Sequence, residues 1–147
     1  MNVSEIKYLL FTLAGDLFAL ELSQLAEVLE PQPLCHLPAT STCYRGVMNF
    51  HGIIVAVMNL ADFLGLDGAI ETEKFIVLHE SIGALAFQAE RVIRIVPADQ
   101  AEFSGENIRP FAKGTIMVPE GEAILLDAGA ITDMATKIIN SAGTTCI

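Results

Sequence analysis

The sequence predicts a mostly β protein made of two homologous units that share one hydrophobic core, with a few short helices. Three observations predict it. Apolar residues come in runs of five to seven, rich in Val, Ile, Leu and Phe and separated by Gly, Asp, Pro or Asn, which is the punctuation of short strands. The order hairpin, connection, hairpin occurs twice along the 147 residues. Half of that length is marginal as an independent domain, so the two units need a common core.

Taken in order, "KYLLFTL" (Lys7–Leu13) and "DLFALEL" (Asp16–Leu22) bracket Ala14-Gly15, a hairpin signal. "KFIVLHE" (Lys74–Glu80) and "GALAFQA" (Gly83–Ala89) bracket Ser81-Ile82 as a tighter version of the same unit. Related segments follow each hairpin, "QLAEVLE" at Gln24–Glu30 and "QAERVIR" at Gln88–Arg94, so that Gln24 matches Gln88 and Val28 matches Val92. Pro31 and Pro97 then open less regular connections. The second hairpin of each unit comes next. Gly46 matches Gly114, Val55 matches Ala123, Val57 matches Leu125 and Asn59 matches Asp127. The offset between matches is 67 residues at the lysines, 64 at the glutamines and 68 at the glycines. Loops of unequal length between equal strands account for that drift.

The units therefore run over residues 5–66 and 72–132, joined by "LGLDGAIETE" (Leu64–Glu73), with a C-terminal helix and tail over 133–147. Two short helices fit the pattern. One starts at the N-cap Asn59 and stops at Gly65; the other is the amphipathic stretch Ala130–Ala142, with Ile131, Met134, Ala135, Ile138 and Ile139 as its stripe.

Composition narrows the function. Hydrophobic residues make up 52% and charged residues 18%, with a mean hydropathy of +0.52. So rich a chain leaves apolar surface for a partner or for self-association. A net charge of −10 with eight scattered basic residues argues against nucleic acid, which needs clustered Lys and Arg, and against an anionic membrane surface. The longest clean apolar run, Ile53–Met58, is far short of the roughly 20 residues that span a bilayer. The first residues carry Glu5 and no basic region or cleavage site, so the expected location is the cytoplasm. Three cysteines, Cys35, Cys43 and Cys146, without C-x-x-C spacing fit a reducing compartment.

Catalytic and metal chemistry find no foothold. His36, His51 and His79 have no partner at ligand spacing, and Cys35-His36 with Cys43 lacks a fourth ligand. His79 falls in strand phase. No nucleophile elbow, P-loop or dinucleotide-binding glycine run is present. The expectation is a protein that is not an enzyme and holds no cofactor or metal.

The chain resembles the chemotaxis coupling protein family, CheW, over residues 6–132. The segments that carry the resemblance are "YLLFTLAGDLFALELSQLAEVLEP", "RGVMNFHGIIVAVMNLADFLGL", "GALAFQAERVIRIVP" and "KGTIMVPEGEAILLDAGAI". The family's middle signature runs glycine, Val-x-Asn-x-Arg-Gly, an apolar strand with a proline, then Asp-Leu. Gly46, Val47, Asn49, Gly52 and Leu60 supply it here, while His51 stands for the arginine, Ala56 for the proline and Asn59 for the aspartate. The stretch between Ile108-Arg109-Pro110 and Lys113-Gly114 is also short for the family.

The resemblance implies two small five-stranded SH3-like β-barrels around a shared hydrophobic core. It also implies a non-catalytic scaffold that couples the cytoplasmic tip of chemoreceptors to the regulatory domain of a CheA-type histidine kinase, in chemotaxis or a related motility pathway. By the same resemblance Leu22, Leu25, Glu27, Gly46, Asn49, His51 and Gly52 are candidate partner-binding residues. The residues alone leave alternatives open. Leu22 and Leu25 also read as core, Glu27 as a solvated charge, His51 as an exposed turn residue, and Gly46 and Gly52 as structural glycines. Val92 and Ile93 read as core. Two other functions remain in view: a relative that binds receptors without kinase, marked by His51, Ala56 and Asn59, and a small β-barrel ligand-binding domain, which would show a lined cavity near His36 or His51.

Overall fold

The computed structural model describes residues 6–36, 43–66, 71–106, 109 and 111–136. The described residues form eleven strands: β1 (Lys7–Leu13), β2 (Asp16–Glu21), β3 (Leu25–Leu29), β4 (Tyr44–Phe50), β5 (Ile53–Asn59), β6 (Lys74–Leu78), β7 (Leu85–Ala89), β8 (Arg91–Pro97), β9 (Glu102–Gly105), β10 (Ala112–Val118) and β11 (Gly121–Leu126). Helix α1 (Leu60–Phe63) follows β5, and helix α2, described over residues 128–136, follows β11. The expected extension of α2 through residue 142 lies outside the described residues, as does the tail.

The strands form two sheets, a six-stranded one in the order β8-β1-β2-β11-β10-β9 and a five-stranded one in the order β3-β6-β7-β5-β4. Neither sheet respects the expected division at residues 66–72. The first hairpin, β1-β2, is paired with strands of the second unit, and the hairpin β6-β7 is paired with strands of the first. Each unit lends its leading hairpin to the other's sheet. Two of these joints are parallel, β2 with β11 and β5 with β7, pairings that no tight turn makes.

The six-stranded sheet curls around Leu10, Ala19, Val96, Ile116, Val118, Ala123 and Leu125. The five-stranded sheet curls around Met48, Val55, Val57, Phe75, Val77 and Ala86. Between them lies a third and larger core with Leu9, Phe11, Leu13, Phe18 and Leu20 from one sheet and Met58, Ile76, Leu78, Leu85 and Phe87 from the other. Strand alternation produces this arrangement. In β1, Leu9, Phe11 and Leu13 face the shared core while Leu10 faces the inside of its own sheet. That two-sided burial is why β1 and β6 read as unbroken apolar runs. The larger sheet has six strands rather than the five expected, because the connection after β8 adds the short edge strand β9.

Register also corrects the internal alignment. Both β3 and β8 carry a bulge, between Leu25 and Glu27 and between Val92 and Arg94, each opposite an unbroken partner strand. Glu27 pairs with Val77, and Arg94 pairs with Leu10. Leu25 therefore corresponds to Val92 and Glu27 to Arg94, not Val28 to Val92. The 64-residue offset at the glutamines becomes 67, and most of the drift disappears.

The unit ends match in detail. Asn59 N donates to Cys43 O and Asp127 N donates to Phe111 O, both at 2.7 Å. Asn59 Oδ1 accepts from Asp62 N at 3.2 Å, and Asp127 Oδ1 accepts from Ala130 N at 3.1 Å, so both helices begin on a side-chain N-cap. Helix α1 stops after one turn at Leu64-Gly65, where Gly65 takes φ +72°. Strand β6 ends at Leu78, so His79 is the first residue of a six-residue link rather than a strand residue. The link is wider than Ser81-Ile82 because His79 O gathers the N–H groups of Ile82 and Gly83.

Candidate partner-binding surface

The turn between β4 and β5 is a two-residue loop, His51-Gly52, since Phe50 pairs directly with Ile53. Both loop residues have positive φ, +49° and +86°, the combination of a type I′ turn whose twist suits a hairpin. Gly52 adopts this backbone freely, and His51 shares the positive φ. Asn49 Oδ1 accepts from Gly52 N at 2.9 Å and fixes the loop.

His51 stands edge-on to Phe50, with ring centroids 4.4 Å apart. Its Nε2 lies 3.4 Å from Glu27 Oε1. The fold thus brings together Glu27, Asn49, His51 and Gly52 from two segments that are 24 residues apart at the Glu27–His51 contact. It separates the other three candidates from them. Gly46 is buried at the β4 bulge, where an added Cβ would come 2.6 Å from Cys35 O. Leu22 and Leu25 are half-buried and pack on the shared core. Val92 and Ile93, expected as core, are half-buried against the shared and larger-barrel cores respectively.

Glu27 sits opposite Val77, so it lies on the face of β3 that turns toward the inside of the smaller barrel. At that end the barrel has an open mouth of about 360 Å³. Phe50, Ile53, Val55, Val77 and Leu78 line it, with His79 and Glu80 at its edge. Ile53 and its neighbour Ile54 are exposed, a pair of aliphatic residues set in solvent beside the mouth.

In the larger barrel the corresponding strand and hairpin tip are also bridged by side chains. Arg94 occupies the place of Glu27, and the tip of the β10-β11 hairpin carries Glu120. Arg94 grips Glu120 with two bonds, Nε to Oε2 at 2.5 Å and Nη2 to Oε1 at 3.1 Å. The guanidinium bonds hold the Glu120 carboxyl below the usual carboxylate range, and the Arg94 value is raised in return. Sequence reading passed over this pair because its members lie 26 residues apart. The only signal was the repeat itself, once aligned by its bulges.

Among the described residues, two tyrosines are also shifted. Burial pushes the Tyr44 phenol up, and its hydroxyl donates to Ala135 O at 2.9 Å; burial, with the charge of Glu21, raises Tyr8. Neither lines the mouth beside His51. Among the described residues, no three His, Cys, Asp or Glu side chains gather as a metal site, and no helix is long and apolar enough to cross a membrane.

The model of the CheW-like domain family matches residues 7–136. The structure is similar to that of the scaffolding protein TtCheW from Thermoanaerobacter tengcongensis, with a TM-score of 0.72 and 18% identity over 82% of this chain and 88% of that one. The architecture is therefore that of two SH3-like barrels. No curated protein is significantly similar in sequence.

Proposed function

Since this chain belongs to the family of CheW-like domains, we propose that it is a non-catalytic adaptor that couples chemoreceptors to a CheA-type histidine kinase in the cytoplasm. Family membership over residues 7–136 carries the reading. The surface supports it: Glu27, Asn49, His51 and Gly52 converge next to Ala26 and Phe50, which line an apolar mouth, and an apolar centre with polar neighbours is the combination found in protein–protein interfaces. Leu22, Leu25 and Gly46 contribute by holding β3 and β4 in place.

The ligand-binding alternative called for a lined cavity near His36 or His51, and the mouth does lie beside His51. Its lining is aliphatic and aromatic apart from His79 and Glu80, which stand exposed at its edge. That suits a partner's side chain better than a polar metabolite, which needs convergent polar groups.

The test is calorimetric titration of the full chain against the regulatory domain of each CheA-type kinase, and against the receptor cytoplasmic tips, encoded in the same genome. Micromolar binding to one kinase and one receptor is expected. Binding to receptors alone would replace the adaptor by a receptor-only relative, and binding to neither would overturn the proposal.

A further inference from the structure

Helices α1 and α2 start at equivalent points, yet they cover their surroundings unequally. Phe18 pairs with Ile124 as Leu85 pairs with Ala56, and Ala112 pairs with Leu126 as Tyr44 pairs with Met58. Phe111 corresponds to Cys43, because their carbonyls accept from the matched Asp127 and Asn59. Leu85, Met58 and Cys43 are therefore the counterparts of Phe18, Leu126 and Phe111. They share a buried cluster with Ile131 and Ala135 of α2. Thr132 closes against Gly83, and Ala135 O accepts from the Tyr44 hydroxyl. On the other unit α1 stops after one turn at Gly65, and a cleft of about 370 Å³ stays open beside it.

Phe18, Ile124 and Leu126 line this cleft from the larger sheet, and Phe63, Leu64 and Leu66 line it from α1 and the residues that follow. The Phe63 and Phe111 rings lie 5.0 Å apart at its side. Phe111 has φ +68°, a strained backbone for a bulky residue and of the kind that collects at ligand sites. The bond from Asp127 N to its carbonyl, at 2.7 Å, holds it there. Arg109 is the one charged side chain among the described lining residues, and it is exposed. It has a contact of its own, and the five N–H donors of a guanidinium leave capacity for a further acceptor. Sites for small molecules have this character: roughly 300–1,000 Å³, an aromatic and aliphatic lining, and few polar groups to fix orientation. None of these residues belongs to the candidate partner-binding surface around Glu27 and His51.

We propose that this cleft binds a small carboxylic acid, its aryl or alkyl body among Phe63, Phe111 and Ile124 and its carboxylate accepting from Arg109. Guanidinium and carboxylate match in shape as well as in charge. No acid lines the cleft among the described residues. The net charge of −10 is screened beyond roughly 8 Å at physiological salt, so the nearby cation decides. The site goes beyond the adaptor reading and does not depend on it.

The test titrates the full chain, labelled at its Ile, Leu and Val methyl groups, with three probes of one length: 4-phenylbutyrate, its neutral amide and 4-phenylbutylammonium. NMR at neutral pH and physiological salt follows the signals. Phenylbutyrate is expected to shift the methyls of Leu64, Leu66 and Ile124 saturably and to bind about tenfold more tightly than the amide. Arg109→Gln is expected to bring the two within about twofold, while the amide keeps its affinity and the methyls of Val55 and Val77, in the smaller barrel, stay in place. The proposal is overturned if phenylbutyrate leaves the cleft signals unmoved, if the amide or the ammonium binds as well, or if Arg109→Gln keeps the preference. It is also overturned if the cleft methyls respond only to a kinase or receptor fragment, which makes the cleft a protein-docking site. The three probes need neither kinase nor receptor, so their failure is distinct from failure of the adaptor reading.

Discussion

Single residues decide how each hairpin tip and bulge is built. Gly46 has φ +147° and no room for a Cβ beside Cys35 O, and its counterpart Gly114, at φ +158°, is covered by the ring of Phe103. Gly46→Ala meets backbone rather than a movable side chain and should cost about 2–3 kcal/mol, read by urea denaturation. Glu120 gives a pH test. Its carboxyl is lowered in the fold, so the bridge to Arg94 stabilises above the ordinary carboxylate range and the contribution is lost as pH falls through the folded value. The stability difference between the wild type and Glu120→Gln should be constant above about pH 5 and shrink at lower pH. At this scale the sequence revealed the glycines, because a lone Gly in a strand marks a bulge or close approach. It concealed the Arg94–Glu120 and Glu27–His51 pairs, because nothing local connects their members.

At the scale of elements, the two helix starts are equivalent and can be compared. Asn59→Ala and Asp127→Ala should each cost about 1 kcal/mol through loss of an N-cap bond, measured by thermal or urea denaturation. Both caps were legible as matched positions in the repeat, and Asn59 was legible as a cap from the residues that follow it. The hairpins β1-β2, β4-β5 and β10-β11 were legible for the same reason, since a short turn between apolar runs is local information. What could not be read was the destination of a hairpin once made. Parallel pairing of Phe18 with Ile124, or Met58 with Phe87, leaves no mark in the residues between. The bulges in β3 and β8 were also invisible, which is why the alignment through Gln24 and Gln88 slipped by three residues.

For the whole molecule, the exchange of hairpins makes the two halves interdependent. Residues 1–66 alone would leave β1-β2 without β8 and β11, and β3-β5 without β6 and β7. The expected outcome is that fragments 1–68 and 69–147 are each unfolded in isolation by circular dichroism and recover strand signal when mixed. A half that folds unaided would contradict the exchanged pairing. The shared core was anticipated from length, since half-length units are too small to stabilise themselves, but its depth follows from the exchange: each sheet sends a full hairpin's apolar face into it.

The exchange also dictates when the fold can appear during synthesis. The smaller barrel needs Ala89, the last residue of β7, and the larger one needs Leu126, the last residue of β11, although its first strand begins at Lys7. A ribosome releases the chain from its N-terminus, so β1 and β2 emerge long before the strands that flank them. Through most of translation the nascent chain therefore displays an orphan hairpin with two apolar faces, the kind of unpaired edge that chaperones protect. Closure of the larger barrel becomes available only once Leu126 has left the exit tunnel.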